Sequence, residues 1–314
     1  VAVDFYLNRN WKNPKTLIAE KMPWWLLSMA FGLINIYFLK RNNSLSSSSY
    51  VVDYSFIDKL AVGAYSYAIY LLKWIYPYKM SPLYPYSPEL PMMAYICLAI
   101  VPIAVLAFMI WSFRQNKKQL LFGWAFFTFN VMFLLQIVGA GQGFLADRFT
   151  YIAYIGLFFI MASFYEWLAQ QKPSSKLAIQ IGFGLYLALF AFLTSRQQKI
   201  WENGGTLWEK VKLFYPNSPL AWKQAANYYR DEKKDLGKAI ENYKSALALQ
   251  PEDAFACNDL AKAYTDSAFA PGMLQQTRNE MLMLALQTYN DAVKYDSIVG
   301  QPDKKTSGEI FVNR

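Results

Sequence analysis

The sequence predicts an all-α protein in two parts. The first is a polytopic bundle of about five transmembrane helices plus one interfacial helix, and the second is an α-solenoid of helical repeats. Three observations predict it. Of 314 residues, 55% are hydrophobic and only 17% charged, a balance too apolar for an ordinary soluble domain. Five long windows carry no charge. The last third of the chain repeats itself at a fixed period. The expected division is a membrane domain over 1–200, a repeat domain over 201–298 and a tail over 299–314.

A helix needs about 20 apolar residues to cross a bilayer. The five windows are Met22–Leu39, Leu90–Phe113, Gln119–Ala146, Phe149–Tyr165 and Leu177–Ser195. Trp24, Trp25, Trp111, Trp124 and Trp167 fall near window ends, where an aromatic belt places them. A sixth segment, Leu60–Leu72, has only 13 residues between Lys59 and Lys73. That length suits an interfacial helix, with a short tilted span as the other reading. Val1–Leu7 resembles the end of an apolar helix. With Val1 in place of a starting methionine, the chain reads as a C-terminal piece of a longer protein.

Charge orients the set. The first 200 residues carry 17 Lys and Arg against 7 Asp and Glu, whereas residues 201–314 carry 14 against 15. The whole basic excess therefore lies in the membrane part, where it sets topology. A nucleic-acid partner would need a basic face on the soluble part, and that part is neutral. Arg114, Lys117 and Lys118 mark one short loop as cytoplasmic, and Lys172 and Lys176 mark another. Loops 76–91 and 141–151, and everything after the last span, then lie on the outer face. In a bacterium this is the inner membrane with the repeats in the periplasm, and in a eukaryote the endoplasmic reticulum with the repeats in the lumen.

The chain has no histidine and two cysteines, Cys97 and Cys257. Histidine-based acid–base catalysis, Ser-His-Asp triads and His-ligated metals are excluded, and no disulfide framework or metal site is indicated.

The repeat has a period of 35 residues: Pro216 recurs as Pro251, Ala226 as Ala261 and Tyr229 as Tyr264. Trp208 maps onto Tyr243 and Val211 onto Ala246. Ala239, Tyr243 and Ala246 then recur as Ala285, Tyr289 and Ala292 at a spacing of 46, which places an insertion near Ser267–Asn279, around Pro271-Gly272. Aromatics early, small residues where two helices touch and proline after the second helix form the tetratricopeptide pattern, carried by Trp222, Ala225, Ala226, Tyr229, Ala239, Tyr243, Ala246 and Pro251. Thr206–Tyr215 forms a leading half-repeat. Such residues are core packing, and the groove they shape suits an extended protein or peptide partner.

Two outer loops supply the candidate site. In the first, Tyr76 to Tyr86, prolines forbid regular helix and tyrosines offer flat amphipathic rings. Lys79, Tyr84 and Tyr86 are its candidate binding residues, for a sugar or a lipid headgroup. A belt loop that merely rests on membrane lipid is the plainer alternative. In the second, Gly141 to Tyr151, glycines release the chain and Asp147-Arg148 opens the next helix. Asp147 can cap that helix or pair with Arg148. Arg148 can bind a phosphate at the membrane surface, oriented by Asp147, with Tyr151 beside it.

Three features in this order resemble one family: Met-Ser-Pro-x-Tyr-x-Tyr (Met80 to Tyr86), Ala-Asp-Arg-Phe-Thr-Tyr (Ala146 to Tyr151) and the repeats. The segment Glu20 to Ser28 fits the same comparison. Together they look like the C-terminal half of the transmembrane-and-tetratricopeptide-repeat glycosyltransferases of the GT-C fold, related to protein O-mannosyltransferases, in a form similar to bacterial members. One departure is Ala153, where the family continues Tyr-x-Pro-x-x-Gly. The resemblance implies sugar transfer from a polyprenyl-phosphate donor to a hydroxyl acceptor on the outer face, and the sequence itself requires no cofactor. It also implies a catalytic acidic residue in an upstream loop. The catalytic residue of this chain is thus unknown: Asp53, Asp58, Glu89 and Asp147 are outer-face carboxylates without a signature. The contrasting function is a non-catalytic membrane-anchored scaffold whose repeats recruit a protein. It leaves most of the spans unexplained, because an anchor needs only one.

Overall fold

The computed structural model describes residues 4, 6, 14–41, 54–87, 89–135, 137 and 143–298. The tail 299–314, Asp53, Gly141, Gln142 and most of Val1–Leu7 lie outside the described residues. The chain is all-helical among the described residues and divides into two compact units, Val1–Thr194 and Ser195–Arg314.

The first unit holds α1 (Pro14–Arg41), α2 (Phe56–Ile75), α3 (Met92–Arg114), α4 (Lys118–Met132), α5 (Tyr151–Gln171) and α6 (Lys176–Gln198), the last running four residues past the unit boundary. Three stretches are long and apolar enough to cross a membrane: Met92–Arg114, Tyr151–Gln171 and Pro173–Trp201. α1 covers the first charge-free window in 28 residues and turns Trp24, Phe31 and Leu33 outward.

The third window is corrected. Gln119–Ala146 is not one helix, because α4 ends at Met132 and residues 143–146 run without helix. Leu134 N–H closes a tight turn on the Val131 carbonyl at 2.7 Å. Beyond it Leu135 is buried, and Ile137 Cγ1 would meet a Cβ on Gly63 of α2 at 3.2 Å. Leu135 and Ile137 approach α2 at Gly63, and a continuous apolar run cannot tell such packing from lipid exposure. At 15 residues α4 is about 22 Å long, shorter than a hydrocarbon core.

α2 is longer than its charge-free run. Ser55 and Asp58 form a reciprocal capping box, with Asp58 N–H on Ser55 Oγ and Ser55 N–H on Asp58 Oδ2, each at 3.2 Å. The helix stops at Ile75 because Pro77 disfavours helical backbone at Tyr76. Its middle is buried on all sides, at Ala61, Val62, Gly63, Ala64 and Ser66, together with Tyr67 and Tyr70. Tyr67 shares a 2.8 Å hydrogen bond with Thr128 of α4, Tyr154 near the start of α5 donates to the Tyr70 carbonyl at 2.9 Å, and Tyr95 near the start of α3 donates to Asp58 at 2.6 Å. α5 begins at Tyr151 without a side-chain cap, and Ala153 at the family's proline position is buried within it.

The second unit holds α7 (Gly204–Phe214), α8 (Pro219–Asp231), α9 (Leu236–Leu249), α10 (Ala254–Ala268) and α11 (Gln275–Ile298), each packed on the next. Asn203, Asp235 and Asp253 cap α7, α9 and α10. Ala226, Ala239, Tyr243, Ala261, Tyr264, Ala285 and Tyr289 belong to one buried cluster. Ala226 and Ala261, Ala239 and Ala285, and Tyr243 and Tyr289 thus share one environment, whereas Ala292 lies in a second cluster. The insertion is the loop between α10 and α11, where Gly272 takes φ +81°.

Candidate functional site

The two candidate loops meet over the C-terminal end of α2. Tyr84 and Leu145 form an isolated antiparallel bridge, and Phe144 N–H donates to the Tyr84 carbonyl at 3.0 Å. Gly143 allows the approach, since a Cβ there would lie 2.5 Å from the Tyr84 carbonyl oxygen. α2 receives both loops. Ser66 Oγ donates to the Phe144 carbonyl at 3.3 Å, and Ala146 N–H donates to Tyr70 Oη at 3.1 Å.

The centre is a clasp of three side chains. Lys73 Nζ donates to Tyr84 Oη, and Tyr84 O–H donates to Asp147 Oδ2. Lys73 Nζ also lies 3.3 Å from Asp147 Oδ2, with side-chain exposures of only 9% and 12%, and 4.3 Å from the centre of the Tyr84 ring. Tyr84 Oη further accepts Ser81 N–H at 2.8 Å and sits 3.0 Å from the Lys79 carbonyl. This knits residues 79–84 into a tight turn in which Lys79 takes φ +46°.

Burial sets the electrostatics. It pushes the Asp147 carboxyl above the usual carboxylate range, against the opposing pull of Lys73 and Tyr84. It pushes the Lys73 ammonium below the usual lysine value, against the pull of Asp147. Asp147 Oδ1 is buried and has no hydrogen-bond partner among the described residues. The pair is therefore held in place at a desolvation cost rather than as a source of stability.

These contacts correct two expectations. Asp147 neither pairs with Arg148 nor caps α5. It lies in a 3₁₀ turn, Asp147–Phe149, and its carboxylate points to Lys73 and Tyr84. Arg148 points the other way. It is exposed, stacks over the Phe149 ring at 4.7 Å and donates one Nη1 hydrogen bond to the Pro82 carbonyl at 3.0 Å. Among the described residues it forms no ion pair.

The six candidates thus divide. Tyr84 and Asp147 are interior members of the clasp. Tyr86 is half-buried between Tyr54 and Phe144, at ring distances of 5.7 and 6.5 Å. Lys79, Arg148 and Tyr151 remain exposed on the same pair of loops, and they are the groups open to a ligand. Sequence reasoning missed Lys73, Ser66 and Tyr70. Their spacing of four and three along α2 is a polar stripe on one helical face, and that signal was available.

No protein-family model matches the chain. Over 167 residues, half of the chain, it is 26% identical to the human protein O-mannosyl-transferase TMTC1, of which it covers 18%. Over 189 residues, 57% of the chain, it is 26% identical to the mouse protein of the same name, of which it covers 19%. The chain spans less than a fifth of these relatives. The likeness is distant and partial. It agrees in direction with three stretches apolar enough to cross a membrane, and the two together support a membrane protein distantly similar to those transferases.

Proposed function

We propose that this chain is the C-terminal part of a multi-pass membrane glycosyltransferase that moves a sugar from a polyprenyl-phosphate donor to a hydroxyl acceptor on the outer face. Its second unit, read as tetratricopeptide repeats, recruits the acceptor or a partner protein. The observation that carries this is the display of Arg148. Its guanidinium stands exposed at the joint between two loops and, among the described residues, keeps one protein acceptor, the Pro82 carbonyl. The remaining N–H donors match the oxygens of a phosphate, and Lys79 and Tyr151 lie exposed on the same loops. A polyprenyl phosphate carries its charge at the membrane surface, the depth at which a loop between apolar helices ends.

Two further facts support the reading. The basic loops around Lys117 and Lys176 orient the set with the joined loops outside. α2 makes its polar contacts near the N-termini of α3 and α5 and in the second half of α4, as a helix lying across their outer ends would. The test is binding of a polyprenyl monophosphate to the intact protein in detergent. Arg148→Ala is expected to weaken binding by about one to two decades, the worth of a charge-assisted phosphate contact. Arg148→Lys should lose less, because it keeps the charge without the planar fork. Wild-type affinity in a folded Arg148→Ala protein would refute the phosphate role and favour the scaffold.

A further inference from the structure

We infer that Lys73 is a positioning residue for Arg148: its ammonium locks Tyr84 and Asp147 together and so fixes the loop joint that displays the guanidinium. The inference rests on the phosphate reading of Arg148. It concerns a helix residue that would not itself touch the ligand.

The geometry closes a ring. From Lys73 one route runs through Tyr84. Tyr84 Oη takes Ser81 N–H at 2.8 Å, and Ser81 Oγ donates to the Leu83 carbonyl at 2.8 Å. The turn so formed presents the Pro82 carbonyl, which holds Arg148 Nη1 at 3.0 Å. The other route runs through Asp147, 3.3 Å from Lys73 Nζ and directly before Arg148 in the chain. Arg148 is therefore set twice, by its backbone through Asp147 and by its side chain through Pro82. Lys73 touches both routes, bonding to Tyr84 Oη on one and to Asp147 Oδ2 on the other, and so closes the triangle that the direct Tyr84–Asp147 bond begins.

Energetics separate positioning from stability. Two charges this buried cost desolvation, and an apolar pair of similar size is commonly as stable or more so. An apolar pair has no directional bonds, however. It would fill the space and leave the turn and the guanidinium free to adopt other arrangements. Tyr84 alone joins the turn to Asp147 through one oxygen, and Lys73 adds a second, charged tie to both that oxygen and the carboxylate.

The test uses the intact protein in detergent, with farnesyl phosphate as probe and titration calorimetry and thermal unfolding as readouts. The double variant Lys73→Met/Asp147→Leu removes both charges and orphans neither. We expect unfolding at or above the wild-type temperature and probe affinity reduced about two- to thirtyfold, the scale of a lost coupling. In an Arg148→Ala background the same double change should add no further loss. Wild-type affinity in the double variant, with affinity lost in Arg148→Ala, overturns the positioning role and leaves the phosphate reading standing. Wild-type affinity in Arg148→Ala removes both. Should the double variant not fold, Tyr84→Phe keeps the ring and deletes the shared oxygen. A folded Tyr84→Phe protein with reduced affinity supports the inference, and one with wild-type affinity overturns it.

Discussion

Asp147 faces Lys73 rather than its neighbour Arg148, and that difference divides the labour between two adjacent residues. Adjacency in sequence suggested a pair. A 3₁₀ turn places consecutive side chains about 120° apart, so one of the two points inward and the other outward. No local pattern reveals which. The inward choice depends on Lys73, which lies 74 positions earlier in the chain. It has a consequence in acid. A carboxyl whose folded pKa is raised contributes stability that is fully present below its unfolded value, about 3.9, and is lost as pH rises through the folded value. Asp147→Asn removes that titration. The stability of wild type relative to Asp147→Asn should therefore fall as pH rises from about 3.9 and level off above the folded value. Thermal unfolding of both proteins over a pH series checks the sign, and a difference that grows with pH would mean a depressed carboxyl.

At the scale of elements, composition located the helices but not their lengths. α2 begins earlier than its apolar run because of a capping box and ends at a proline, both readable residues. α4 ends inside a run that looked continuous, because burial against α2 and exposure to lipid select the same residue types. Glycine contacts were legible in neither sense. A Cβ on Gly156 of α5 would stand 2.3 Å from the Gly123 carbonyl oxygen of α4, and one on Gly123 would stand 2.5 Å from the Gly156 carbonyl oxygen. The two helices cross backbone to backbone at this point. Gly156→Val must push them apart, at a cost of about 1–3 kcal/mol or more for overpacking. The expected result is a lower unfolding temperature in detergent and a weakened Tyr154 bond to Tyr70, two residues from the crossing. Unchanged stability would show that α4 and α5 do not meet at these glycines.

At the scale of the whole molecule, two kinds of sequence signal had different reach. The repeat spacing predicted burial well: Ala226 and Ala261, Ala239 and Ala285, and Tyr243 and Tyr289 all lie in one cluster. It could do so because a repeat fixes which residues share an environment without reference to distant contacts. Charge asymmetry speaks instead to sidedness, which no contact within either unit tests. The proposed orientation puts residues 76–91, 143–151 and the second unit on one face, opposite the basic loops at 114–118 and 171–176. Single-cysteine labelling of intact cells can decide it, after Cys97 and Cys257 are replaced. Reporter positions must be exposed, which favours Ser87 and Glu252 for the outer face and Gln115 and Ser174 for the inner one. The expected outcome is labelling of Ser87→Cys and Glu252→Cys by a membrane-impermeant maleimide before lysis, and of Gln115→Cys and Ser174→Cys only after it. Labelling of Ser87→Cys without Glu252→Cys would put the repeats across the membrane from the Arg148 joint. A partner held by the repeats could then not present a hydroxyl to that joint, and acceptor recruitment would be lost while the phosphate chemistry of Arg148 stood unaffected.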